Sequence, residues 1–179
     1  MPTIMTHAVV GVGLGRIFTP RKMPLLFWET LIVLAMLPDA DAFTFAFGID
    51  YGSFWGHRGF SHSLCFALVV SLLVTALTYR HFQLRFLDLW GLFFAVTASH
   101  GILDAFTNGG LGIAFFAPLD NARYFFPWRP LTVSPIGGSF FSMHGLQTIH
   151  SELLWVWLPT LVLVGAVEVY RRIKARREP

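Results

Sequence analysis

The chain is short of two things, cysteine and charge: Cys65 is its one thiol, and Asp, Glu, Lys and Arg together make up 13% of 179 residues. A lone cysteine excludes an internal disulfide and leaves no CxxC pair for redox work or a thiolate zinc site. Cys65 reads as a small apolar residue on a membrane helix. Soluble domains carry about 25% charged residues, so 13% charge with 55% hydrophobic residues and a mean hydropathy of +0.61 marks a membrane protein. Also missing are an HExxH helix, a nucleophile elbow, a P-loop and a dinucleotide fingerprint. The start Met1-Pro2-Thr3 has no basic n-region and His7 interrupts the apolar run behind it, so a cleaved signal peptide is not expected. No repeat, low-complexity run or long hydrophilic linker divides the chain, which reads as one domain over 1–179.

Five apolar stretches are present: Thr3–Phe18, Leu25–Leu37, Leu64–Tyr79, Phe86–Phe106 and Leu153–Tyr170. The last three approach the roughly 20 residues that cross about 30 Å of hydrocarbon. The first two are shorter, and Leu25–Leu37, with Glu29 near its start, reads by itself as a buried or re-entrant helix. The expected fold is an all-α polytopic bundle of about five transmembrane or membrane-embedded helices.

The formal charge of +3 does not point to nucleic acid, because the basic residues are spread over membrane-flanking loops. With five crossings, Arg16, Arg21, Lys22, Arg80, Arg85, Arg171, Arg172, Lys174, Arg176 and Arg177 share one side, against Arg58, Arg123 and Arg129 on the other. The positive-inside rule then puts the C-terminus and its basic tail, 171–179, in the cytoplasm. Between the fourth and fifth stretches lies Thr107–Ser151, rich in Gly, Pro and aromatics and expected on the extracytoplasmic side as a lid or interfacial platform.

Seven side chains suited to metal binding fall at the same, extracytoplasmic, set of segment ends: His7, Asp39, Asp41, His57, His62, His100 and Asp104. His100 and Asp104 stand four apart, on one helical face. Asp39 and Asp41 follow Pro38 as the second stretch ends; paired acids there call for a cation, and beside two ions they would supply one terminal and one bridging carboxylate. His57-Arg58-Gly59-Phe60-Ser61-His62-Ser63 offers two imidazoles around an arginine, with Ser61 or Ser63 as helix N-cap. Arg58 is the natural partner for an oxyanion. Four His and three Asp without thiolate favour zinc, with manganese or iron as alternatives, and suffice for two ions. Such a centre activates water for hydrolysis, with Asp41 or His57 as general base or acid. Arg123 and Arg129 supply further cations for an anionic headgroup, with Asp120 and Asn121 capping the turn that presents Arg123. Gly11, Gly13 and Gly15 read as a close helix contact.

Together with Thr6-His7, Leu37-Pro38-Asp39-Ala40-Asp41 and Ser99-His100-Gly101-Ile102-Leu103-Asp104, the His57–Ser63 run and Arg123-Tyr124-Phe125-Phe126-Pro127-Trp128 resemble the YdjM-like family of membrane-bound, metal-dependent hydrolases. That family is distantly similar to the zinc-dependent phospholipase C and single-strand nuclease superfamily. The resemblance implies phosphoester hydrolysis in a bacterial or archaeal cytoplasmic (inner) membrane, with His7, Asp39, His62, His100 and Asp104 as ligands and Asp41 and His57 close by. The superfamily's later His-x-x-x-Glu is not matched, since His144 is followed by Gln147 and His150 by Glu152, which argues for two ions rather than three. The expected function is hydrolysis of a lipid-type phosphoester or phosphodiester at the outer membrane face. A non-catalytic metal transporter or sensor is the alternative, although a transporter would hold its ligands near the bilayer midplane on broken helices.

Overall fold

The computed structural model describes residues 1–135 and 137–177. Its elements are α1 (Ile4–Phe18), α2 (Leu25–Met36), the 3₁₀ stretch η1 (Leu37–Phe47), a 3₁₀ turn (Phe60–His62), α3 (Leu64–Phe82), α4 (Phe86–Ala105), a second 3₁₀ turn (Gly137–Phe140), α5 (Met143–Glu152), a π-turn (Leu153–Trp157) and α6 (Leu158–Arg177). Among the described residues the only strand-like features are two isolated bridges, Thr107 with Leu131 and Ile113 with Tyr124. The all-α expectation holds.

Among the described residues, four helical stretches are long and apolar enough to cross a membrane: Leu25–Phe47, Leu64–Phe82, Phe86–Ala105 and Met143–Arg177; α1, with 15 residues, is shorter. Two boundaries differ from the sequence reading. The second stretch does not stop at Leu37. Pro38 lacks the N–H that would continue the α-helical ladder, but the chain tightens into η1 and runs on to Gly48, whose φ of 71° ends it. The fifth helix begins ten residues before its apolar run, at Met143, inside the region read as a loop to Ser151. Its first turns are too polar to register as a span, yet Thr148, Ser151 and Glu152 face inward and are buried.

Helix α4 is central, packed on α1, α2 and α3, while α6 lies along α1. Phe27, Leu31, Leu34, Phe82, Phe93 and Val96 form the core between α2, α3 and α4. The glycines of α1 act as expected. A Cβ on Gly11 would stand 2.9 Å from the Ala35 Cβ, and one on Gly13 would stand 2.5 Å from Thr160 Cγ2, so α1 touches α2 on one face and α6 on another. α3 starts on the Ser63 hydroxyl, which accepts from Phe66 N at 3.0 Å.

The region after α4 is pinned to the helix ends. Arg123 donates to the carbonyls of Tyr51, Ser53 and His57, each at 3.0 Å. Phe106 stacks on Phe126 at 4.4 Å, and Trp128 meets Trp155 edge-on at 4.9 Å. Asp120 caps its turn through Ala122 N at 2.8 Å and accepts from the Tyr124 hydroxyl at 2.7 Å; these two bonds hold its carboxyl below the usual range.

Candidate metal centre

At one end of the bundle, η1, the turn before α3 and the last turns of α4 bring Asp39, His62, His100 and Asp104 together, each offering an atom within 4.8 Å of the others. His100 lies one turn before Asp104, so both project from the same face of α4. The proline-induced tightening of η1 swings Asp39 under them.

The two histidines are set for one tautomer. His100 Nδ1 is 2.7 Å from the Ala35 carbonyl, an acceptor only, so Nδ1 carries the hydrogen and Nε2 presents its lone pair. His62 Nδ1 lies 3.1 Å from Asp41 Oδ2 and 3.0 Å from Ser61 Oγ, which fixes the same arrangement. The two Nε2 atoms then face one another at 3.1 Å in a fully buried setting. Two lone pairs at that distance need a proton or a cation between them. Burial by itself would depress the His62 imidazole, but the carboxylates of Asp39 and Asp41, one facing each ring nitrogen, outweigh it and raise it to about 9.

The separations suit a tetrahedral ion. With bonds of 2.0–2.1 Å the edges of such a site measure about 3.4 Å. Here His100 Nε2–Asp39 Oδ1 is 3.2 Å, His62 Nε2–Asp104 Oδ2 is 3.6 Å and His62 Nε2–Asp39 Oδ1 is 3.7 Å. Buried polar atoms are nearly always hydrogen-bonded, yet both carboxylate oxygens of Asp39 and of Asp104, and both nitrogens of His7, have no hydrogen-bond partner among the described residues. His7 stacks on His100 at 3.7 Å and holds Nε2 3.5 Å from Asp104 Oδ1. The donor set therefore fits a divalent ion, with His7 beside it.

Asp41 and His57 lie close by, on the other side of His62. Asp41, His57 and His62 form a second cluster of possible ligands. Asp41 lies on the far edge of the His62 ring, and its oxygens are already taken: His57 Nδ1 at 2.6 Å, His62 Nδ1, the Arg58 backbone N–H at 3.2 Å and the Ser61 hydroxyl. It is not placed to bridge two ions at Nε2. It instead orients two imidazoles.

Arg58 also differs from expectation. It is fully buried, with Nη1 on the carbonyls of Gly109 (2.9 Å) and Leu111 (2.7 Å), Nη2 on Thr107 Oγ1 (3.1 Å) and Nε 3.2 Å from Asp104 Oδ2. Its fork is committed to the protein, and the left-handed φ of 65° aims it inward. Arg123 is likewise occupied by loop carbonyls, whereas Arg129 is exposed over the Phe125 ring at 4.9 Å.

The chain matches the YdjM inner membrane protein family model over residues 1–175. It belongs to that family. It is also 45% identical over 179 residues to the inner membrane protein YbcI of Escherichia coli (strain K12), an alignment covering 96% of this chain and all of that protein. No solved structure matches it.

Sequence reasoning missed three contributors. The Ala35 carbonyl leaves no side-chain signal. Thr107, buried against Arg58, belongs to no motif. Glu152 was visible as an acid before an apolar run, and intramembrane acids are functional candidates by default. It accepts from Thr3 N at 2.5 Å and from the Thr3 and Thr6 hydroxyls at 2.6 Å, anchoring the first turn of α1, which carries His7.

Proposed function

We propose that this membrane protein is a metal-dependent hydrolase acting on a lipid-type phosphoester or phosphodiester, with the centre facing the outer side and the C-terminus in the cytoplasm. The carrying observation is the pair of tautomer-locked imidazoles whose Nε2 atoms meet at 3.1 Å beside two carboxylates with no hydrogen-bond partner. Asp39, His62, His100 and Asp104 would hold one ion, zinc by the balance of nitrogen and oxygen donors, with manganese or iron as alternatives. His7 is the reserve donor and the contact for a second ion. A divalent ion there supplies Lewis acidity and lowers the pKa of a bound water toward neutrality.

The chain's own groups divide the remaining work. Asp41 holds the His57 Nδ1 hydrogen at 2.6 Å, leaving His57 Nε2 as proton acceptor or donor. His57 is part of the wall beside His62, ring centroids 5.4 Å apart. Arg58 positions Asp104 and, through its backbone N–H, Asp41, rather than gripping substrate. Arg129 is the cation open to an anionic headgroup, with Arg123 holding the loop that carries His57. Membrane lipids are the expected surroundings and source of substrate, and the basic ends of the helices support the outward orientation.

The test is elemental analysis of the detergent-purified protein, followed by phospholipase and phosphodiesterase assays against His100→Ala and Asp104→Ala. About one ion per chain, with hydrolysis lost in both variants, supports the proposal. Bound metal without hydrolysis would leave a metal-binding transporter or sensor, and no bound metal would end both readings.

A further inference from the structure

Where the centre sits in the bilayer follows from helix lengths. From the basic end of the bundle, α2 rises about 18 Å over its 12 residues at 1.5 Å each, and η1 adds about 22 Å over 11 residues at about 2.0 Å. The hydrocarbon slab is about 30 Å thick. Together they span about 40 Å, so the far edge of the slab falls near Ala42: Asp39 lies just inside it at the ligand end, and Phe43 to Phe47 lie beyond it, in the headgroup layer that brings the bilayer to about 40–45 Å. Beyond Asp41 the chain carries no charge until Asp50, and Ala42-Phe43-Thr44-Phe45-Ala46-Phe47 belongs with α2 to one apolar helical stretch, Leu25–Phe47, long enough to cross a membrane. Phe43 is 76% and Phe47 82% exposed. Around the same end of the bundle, Leu119 is 95% and Phe141 92% exposed. Such a rim is a poor surface for water but suits the headgroup boundary, where aromatic side chains concentrate.

Of the four ligand residues Asp39 is the least buried, at 9% exposed, and it lies on this side, next to the exposed Ala40 and Ala42. We propose that η1 is a membrane-seated lip: Phe43 and Phe47 anchor in the leaflet at the ligand end, so the mouth beside Asp39 opens among lipid headgroups and receives an amphiphile sideways from that leaflet. Continuity with the apolar stretch that begins in α2 selects the bilayer as occupant over a second copy or a soluble partner. The amphiphile rests on the hydrolase reading; the seating of the lip does not.

The experiment uses full-length protein with Cys65→Ser and Phe47→Cys, labelled with bimane and reconstituted in phosphatidylcholine/phosphatidylglycerol vesicles. Leu77→Cys, on the exposed face of α3, and Arg177→Cys, at the basic end, serve as lipid and water controls. The label at 47 is expected to be quenched at least twofold by a shallow doxyl lipid, and severalfold less by iodide than the label at 177. Iodide quenching equal to that at 177, or protection from both quenchers, overturns the seating. Phe43→Ser with Phe47→Ser should keep the wild-type zinc content and slow hydrolysis of vesicle phospholipid at least tenfold, while p-nitrophenyl phosphate hydrolysis stays within twofold. Equal loss on both substrates overturns sideways access. A wild-type protein that hydrolyses neither counts against the hydrolase reading alone, and the quenching pattern still decides the lip.

Discussion

Asp39 and Asp41 are two residues apart in sequence, yet the structure sets them against opposite nitrogens of His62, and isosteric amides separate the duties proposed for them. Asp39→Asn replaces a carboxylate that faces His62 and His100 with no hydrogen bond of its own. It removes one of four donors and half the negative charge of the ligand set, so zinc content in the purified protein should fall well below one ion per chain. Asp41→Asn leaves the four donors intact. It weakens two charge-assisted bonds, to His57 Nδ1 at 2.6 Å and His62 Nδ1 at 3.1 Å. Loss of such an orienting partner typically lowers metal affinity about 10- to 100-fold, or about 1.4–2.7 kcal/mol. Stoichiometry should therefore stay near that of wild type while the dissociation constant rises by that factor, read by competition with a chromophoric zinc chelator in detergent. Hydrolysis should fall further than affinity in Asp41→Asn, because His57 loses its anchor too. The opposite order, with zinc abolished by Asp41→Asn and retained within threefold by Asp39→Asn, would refute the assignment and move the ion to the other edge of His62.

Further outcomes follow from the same geometry. Arg58→Met leaves Asp104 buried without its counter-charge, which should cost about 3–5 kcal/mol in metal-free protein and be partly recovered by zinc, as seen in thermal unfolding with and without chelator. His62 is raised from 6.5 to about 9 in the folded chain, so its contribution to metal-free stability is complete below about pH 6.5 and lost as pH rises through 9. A bound ion must displace that proton, so zinc affinity should climb about tenfold per pH unit up to about pH 9 and flatten above it; a flat profile from 6.5 to 9 would contradict this. Gly13→Val drives side-chain atoms into Thr160 and should destabilise by about 1–3 kcal/mol, with the metal affinity of the folded protein unchanged. Glu152→Gln should lower thermal stability by weakening three bonds to Thr3 and Thr6, each worth about 1.5–3 kcal/mol when one partner is charged.

Much of this was legible in the sequence because membrane helices advertise themselves by composition and because ligands on one helix keep fixed spacing. His100 and Asp104 needed only the helical period, and the sidedness of the other donors followed from counting segments. What escaped was set by contacts distant in sequence. Arg58 looked like an anion clamp because nothing local says that Gly109, Leu111 and Thr107 will surround it. The roles of Asp39 and Asp41 depend on which edge of His62 each meets, and that is decided by the tight winding of η1 after Pro38. The early start of the last helix was hidden because its inward face is polar: Thr148, Ser151 and Glu152 bond to other parts of the chain and leave no apolar stripe.

The Glu152 anchor also orders events in time. Thr3 and Thr6 are made before the carboxylate that ties them down, which follows 149 and 146 residues later, and before the Trp157 indole that also reaches Thr6, 151 residues on. At about 5–20 residues per second, α1 waits several seconds for these partners. His7, next to Thr6, is made before the other four donors of the cluster yet receives this particular brace after all of them. A nascent chain that ends before α5 already has Asp39, His62, His100 and Asp104, but lacks the brace that sets the first helix against them. Bracing of the candidate site thus waits on the synthesis of α5, and a truncation ahead of α5 should be felt at α1.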